Sequence, residues 1–162
     1  MPDHPVARLE WADFRQLAPD ANAAVLKLSG LAEAHGLDPL LLELVKLRAS
    51  QLNGCAFCVG IHVAAAQRLG LATDKLHLLV AWREAPCFNA RERAALAWTE
   101  ALTTLSGGVA DAVHAEARVA FSEQDLAYLS SAILSINAWN RLGVAYRFTP
   151  PGIPSQPRTS LP

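Results

Sequence analysis

Glycines that end helices constrain this chain more than any other sequence feature. Gly36, Gly54, Gly70 and the pair Gly107-Gly108 interrupt the sequence, and between them apolar residues recur at helical rather than strand period. Pro19-Asp20 opens a stretch carrying Val25, Leu28, Leu31 and Ala32 that stops at His35-Gly36. Asp38 then offers an N-cap with Pro39 in the first helical position, and Leu40, Leu44 and Leu47 follow at helical spacing until Asn53-Gly54. A third helix is expected from Cys55 to Leu69, and a fourth, capped by Thr73 or Asp74, running to about Ala85 before Pro86 breaks it. A fifth starts near Asn89 and turns Leu96, Thr99 and Leu102 inward, and a sixth covers Asp111 to Val119. Ser122-Glu-Gln-Asp125 launches the last, through Leu126, Leu129, Ile133, Ile136 and Trp139 toward Phe148.

Composition agrees with that punctuation. Hydrophobic residues make up 52% of the chain, and Ala and Leu outnumber Val and Ile, a balance that favours helix. The expected fold class is all-α with about six to seven helices. At 162 residues the chain can bury one ordinary core, so residues 1–149 are read as one domain. Residues 150–162 form a tail too rich in proline to continue a helix, either disordered or strapped across a neighbouring subunit.

Charge narrows the partners. The 14 Lys and Arg are scattered and balanced by 15 Asp and Glu, so there is no basic stripe for nucleic acid or anionic lipid. No apolar run reaches the roughly 18 residues of a membrane span, and Asp3, Arg8, Glu10, Asp13 and Arg15 stand where a secretory leader would be apolar. A cytoplasmic location is the expectation. In that reducing setting, closely spaced cysteines point to redox or metal chemistry rather than to a structural disulfide framework.

Cys55-Ala56-Phe57-Cys58-Val59-Gly60-Ile61-His62 is therefore the candidate centre. On a helix, steps of three and four residues keep Cys55, Cys58 and His62 within an arc of roughly 60°. Cys55 follows the Asn53-Gly54 break and should lie in the first turn, where unsatisfied N–H groups favour a thiolate. His62 can take the Cys58 proton or, as imidazolium, stabilise its thiolate. If the preceding helix folds back antiparallel, rises of about 16 Å and 12 Å from Gly54 bring Glu43 level with His62. Glu43 sits in the stripe of Leu40, Leu44 and Leu47, where a carboxylate would be perturbed and available as a proton relay. Blander assignments stand beside these: a cysteine pair that only packs or holds a structural metal, a solitary histidine, and a surface ion pair of Glu43 with Lys46. Cys87, after Pro86, has no partner by spacing and is left as a free thiol.

The run Glu43-Leu-Val-Lys-Leu-Arg-Ala-Ser-Gln-Leu-Asn-Gly-Cys55-Ala-Phe-Cys58-Val-Gly-Ile-His62 resembles the core of the alkylhydroperoxidase D-like branch of the carboxymuconolactone decarboxylase family. The stretch Ser135-Ile-Asn-Ala-Trp139-Asn140-Arg141-Leu-Gly-Val is similar to the Trp-Asn-Arg segment in the last helix of single-domain members. The resemblance implies an all-α domain that assembles into trimers or hexamers. It also implies a thiol peroxidase in which Cys58 attacks a small hydroperoxide and Cys55 resolves the sulfenic acid. A dithiol reductant, or a lipoyl or thioredoxin-like carrier, would then reduce the disulfide, with Glu43 and His62 at the proton-relay positions and no cofactor. In one respect the sequence departs from the pattern: the best-characterised peroxidases of the group carry a second His inside the C-x-x-C, where this chain has Ala56 and Phe57. Keeping both cysteines argues against lactone decarboxylation. Other functions consistent with the residues are a general disulfide reductase or redox sensor, a zinc-binding module built on Cys55, Cys58 and His62, and a thiol-independent binder of a small acid.

Overall fold

In the computed structural model, which describes residues 6–155, every regular element is helical. The helices are α1 (Trp11–Leu17), α2 (Pro19–His35), α3 (Pro39–Leu52), α4 (Ala56–Arg68), α5 (Thr73–Leu78), α6 (Ala90–Thr103), α7 (Asp111–Ala120) and α8 (Glu123–Tyr146), with a short 3-10 turn over Leu79–Ala81. The all-α expectation holds. None of the helices among the described residues is long and apolar enough to cross a membrane.

Helix α3 is the axis of the molecule. Its residues Leu41, Leu42, Leu44, Val45 and Leu47 are all almost fully covered, so it is apolar around most of its circumference instead of along one stripe. That is why α3 packs against α4, α6 and α8 at once. Leu41, Leu42 and Val45 join Ala95, Leu129 and Ile133 in one core between α2, α6, α7 and α8. Leu44 and Leu47 face a second core with Leu76, Leu79, Trp82 and Leu96. A third, smaller cluster of Ala49, Cys55, Cys58 and Ile136 closes the α3–α4–α8 corner.

The ends follow the local chemistry. Asp38 caps α3 by accepting from the Leu40 N–H at 3.1 Å, with Pro39 inside the first turn. Asn89 and Glu92 form a reciprocal capping box at the start of α6. Ser122 caps α8 through the Asp125 N–H at 3.0 Å, while the Asp125 carboxylate meets His35 at 3.1 Å and ties α8 to the end of α2. Gly36, the C-cap of α2, adopts the left-handed conformation expected of it.

Two boundaries differ from the sequence expectation. The segment before Pro19, to which the sequence assigns no element, contains a helix: Trp11–Leu17 places Phe14 against Tyr146 and Phe148 at ring separations of 6.1 and 6.2 Å. A seven-residue helix gains too little by itself, and this tertiary contact supplies what local pattern could not. Helix α5 ends at Leu78 instead of near Ala85, because the chain tightens into the 3-10 turn that buries Leu79 and Trp82. Trp82 Nε1–H donates to Glu100 at 2.8 Å, and Glu100 also accepts from Arg48 Nε at 2.8 Å, which fixes this irregular stretch to α3 and α6. Of the tail, residues 150–155 are described, and Pro151 packs on Gly60 of α4. The expectation for residues 156–162 lies outside the described residues.

Because Leu44 is fully buried at the centre of α3, Leu44→Ala should cost about 2–5 kcal/mol in chemical denaturation. Val119, 91% exposed on α7, should tolerate the same truncation within about 0.5 kcal/mol.

Candidate functional site

Helices α3 and α4 form a hairpin whose turn is Asn53-Gly54-Cys55. Gly54 takes φ +66°, a left-handed conformation that lets the chain reverse in so few residues. Reversal brings α3 and α4 side by side, and the side chains predicted to meet do so. His62 Nδ1 lies 2.7 Å from Glu43 Oε2. Lys46 Nζ donates to the other carboxylate oxygen, Oε1, at 3.0 Å, so Glu43 bridges a histidine and a lysine. Both partners weighed from the sequence are thus present together.

The electrostatics of Glu43 reflect that bridge. Burial of the residue, only 8% exposed, pushes its carboxyl pKa up, but the hydrogen bond and charge of His62, together with Lys46, outweigh burial and hold it below the ordinary 4.5. An ionised carboxylate accepts from Nδ1–H, so that in the neutral imidazole Nε2 is the ring nitrogen with the free lone pair. Among the described residues no protein hydrogen bond engages Nε2, and the ring lines the same pocket as Cys58.

Cys55 sits one position earlier than the first turn: it is the N-cap of α4, and its sulfur accepts from the Cys58 N–H at 3.2 Å. A sulfur in that position is offered a backbone donor and the positive end of the helix dipole. Cys55 and Cys58 are joined as a disulfide, Cα to Cα 5.3 Å, and both residues are almost fully covered. Cys87 is an exposed free cysteine away from this corner. Among the described residues no group of three or more His, Cys, Asp or Glu side chains is arranged to hold a metal ion, so the zinc alternative gains no support from the geometry.

Several residues at this corner had no role assigned from the sequence, although Asn137, Asn140 and Gly143 lie in the stretch that resembles the family's last helix. Gly143, within α8, faces the disulfide so closely that an added Cβ would stand 2.6 Å from Cys55 Sγ and 3.5 Å from Cys58 Sγ. Asn53 Nδ2 donates to Asn137 Oδ1 at 3.0 Å and Asn140 Oδ1 at 2.9 Å, and Asn140 Nδ2 donates to the Ser50 hydroxyl at 3.0 Å. This buried network pins the turn that carries Cys55 to α8. The available signal was Asn137 and Asn140 spaced one helical turn apart in α8, with a glycine three residues further on. Around Cys58, the side chains of Trp11, Leu26, Phe57, Ile61 and Trp139 enclose an apolar pocket of about 260 Å³ with His62 at its edge.

Comparison with known proteins follows the same lines. The sequence pattern of the Carboxymuconolactone decarboxylase family matches residues 19–101. The uncharacterized protein YdfG of Bacillus subtilis (strain 168) is 30% identical over 82% of this chain and 90% of its own length. A protein of unknown function from Agrobacterium tumefaciens, ATU0492, provisionally described as the antioxidant defence protein AhpD, superposes with a TM-score of 0.84 at 35% identity over 90% of this chain and 98% of that one. The debrominase Bmp8 shares the fold at 19% identity, with a TM-score of 0.75 over 94% of this chain and 95% of its own.

Two stability measurements follow from the geometry. Folding lowers the Glu43 pKa from 4.5, so the unfolded chain binds that proton more readily, and the resulting stabilisation is complete above the unfolded value and lost as pH falls through the lowered folded one. Glu43→Gln should therefore cost about 1–3 kcal/mol near neutral pH, and the gap to wild type should narrow below about pH 4.5 in denaturant titrations. Gly143→Ala should destabilise the oxidised protein by about 1–3 kcal/mol, because overpacking against the sulfurs exceeds the roughly 0.5–1 kcal/mol that Ala gains in a helix.

Proposed function

The chain belongs to the carboxymuconolactone decarboxylase family, and from that premise we propose that it is a thiol-dependent peroxidase that reduces small organic hydroperoxides. One observation carries this reading: Cys58 opens into an apolar pocket beside a histidine that a buried carboxylate orients. With Nδ1–H held by Glu43, His62 Nε2 is the acceptor for the Cys58 thiol proton. The thiolate attacks the distal peroxide oxygen, the O–O bond breaks, and His62 returns the proton to the departing alkoxide to give an alcohol. Cys58 is left as a sulfenic acid. Cys55, whose sulfur has the Cys58 N–H as a donor, attacks that sulfur as thiolate, releasing hydroxide that is protonated to water and closing the disulfide. An external dithiol would complete the cycle by reducing it. Pocket lining favours an organic hydroperoxide over hydrogen peroxide, since the three aromatic rings of Trp11, Phe57 and Trp139 and the three aliphatic chains of Leu26, Ile61 and Ile136 offer mostly apolar surface. In this scheme Cys58 is the nucleophile, Cys55 the resolving thiol, and His62 with Glu43 the relay.

A second reading, a general disulfide reductase, is favoured by Ala56 and Phe57 between the cysteines, which leave one imidazole and not two near the pair. The fold does not choose between these chemistries, as the debrominase Bmp8 has it too. Stopped-flow consumption of cumene hydroperoxide under excess dithiothreitol separates them. The peroxidase reading predicts turnover abolished in Cys58→Ser and Cys55→Ser, and lowered about 10²–10⁴-fold in His62→Phe through loss of proton transfer. Peroxide consumption no faster than that of the buffer dithiol, with disulfide exchange intact, would establish the reductase instead.

A further inference from the structure

The two cysteines line different openings. Cys58 lines the apolar pocket described above, which Cys55 does not reach. Cys55 lines a separate cleft of about 550 Å³ on the other side, which Cys58 does not reach. Phe57 belongs to both linings and is the wall between them, braced by Trp11 at 6.1 Å on the pocket side and by Phe148 at 5.4 Å on the cleft side. Both cysteine residues are otherwise covered, 1% and 3% exposed, so each has a different opening beside it.

The cleft is a built feature, made where the two ends of the described chain are tied together. Arg8 donates its backbone N–H to the Tyr146 carbonyl at 2.8 Å and its guanidinium to the Ala145 carbonyl at 3.1 Å. Across the rim, the Thr149 hydroxyl donates to Glu10 at 2.7 Å, and Pro151 seats on Gly60. Ala7, Val144, Phe148 and Ile153 make apolar walls, and Arg147 is the charged residue of the lining.

We propose that this cleft is the reductant site, where an organic dithiol meets the disulfide at Cys55 while the oxidant meets the pair at Cys58 through the opposite pocket. The assignment of the oxidant rests on the peroxidase reading; the assignment of the reductant site rests on the cleft. Thiol–disulfide exchange is a displacement at sulfur, with the incoming thiolate opposite the leaving one, and its rate depends on which sulfur can be approached. From the cleft that sulfur is Cys55. A reductant thiolate bonds to Cys55 Sγ, the Cys55–Cys58 bond breaks, and the electron pair leaves on Cys58 as a thiolate beside His62, where the next oxidation begins. The reductant's second thiolate then attacks its own sulfur in the mixed disulfide, so that Cys55 departs as a thiolate. Two electrons have passed from dithiol to protein, the dithiol leaves as a disulfide, and its two protons remain for the two protein thiols. Separate routes also mean that excess dithiol does not compete with peroxide for one opening.

The protein is oxidised chemically with diamide, so that reduction is read independently of peroxide turnover. It is then treated with the monothiol N-acetylcysteine, quenched in acid, capped with N-ethylmaleimide and mapped by peptide mass spectrometry. The expected product carries N-acetylcysteine on Cys55 and maleimide on Cys58; the reverse labelling, or equal labelling of both, overturns the proposal. Half-reactions of two variants at half-exposed positions give a second reading. Val144→Trp in the cleft should slow reduction by dithiothreitol about tenfold or more, leaving oxidation of the reduced protein by cumene hydroperoxide within about twofold. Ile61→Trp in the pocket should do the converse. Both half-reactions slowing together in either variant, with unchanged circular dichroism, would mean a single opening and contradict the assignment.

Discussion

Everything at this corner of the molecule depends on a carboxylate buried in its most buried helix. An ionised Glu43 inside α3 would be costly if left alone, since removing a charge from water costs several kcal/mol. The cost is offset because each oxygen has its own cationic or N–H partner, Lys46 one turn along the same helix and His62 across the hairpin. That second contact gives α4 a fixed register against α3, which apolar packing alone would specify less sharply. It also determines which nitrogen of His62 carries the proton. One hydrogen bond therefore links burial, helix register and the chemistry offered to Cys58.

Position is enforced from the other side by α8. Asn137 and Asn140 hold Asn53, the residue that ends α3, and Gly143 leaves room for the disulfide to press against the helix backbone. A helix-interior glycine forgoes some helix stability, and here the close approach of two sulfurs accounts for it. The corner is thus assembled from the α3–α4 hairpin and from α8, which is distant from it in sequence. The Cys-x-x-Cys run carries reactive groups, but the α3 carboxylate and the α8 amides orient them.

Much of this was legible in the sequence because helix signals are local. Asp38-Pro39, Asn53-Gly54 and Asn89 mark ends that the structure reproduces within a residue or two. The meeting of Glu43 with His62 was legible for a related reason: two helices joined by a tight glycine turn must run back along one another, so equal rises put their residues level. What was not legible depends on contacts far apart in the chain. Helix α1 is held by aromatic rings near the end of α8, and the early stop of α5 by Trp82 reaching Glu100. The opposite openings onto Cys55 and Cys58 are of the same kind, since a three-residue spacing places both sulfurs on one helical face but does not say what covers either side.

We propose that the Glu43–His62 pair activates Cys58 as the thiolate that begins the chemistry. It is tested most directly by the pH dependence of iodoacetamide alkylation of the fully reduced protein, resolved for each cysteine by mass spectrometry and compared with Glu43→Gln. Cys58 should alkylate with an apparent pKa below the ordinary thiol value of about 8.5, and the Glu43→Gln substitution should move this value upward while exposed Cys87 keeps its own profile. A Cys58 profile at or above the ordinary thiol value, unmoved by the substitution, would contradict it.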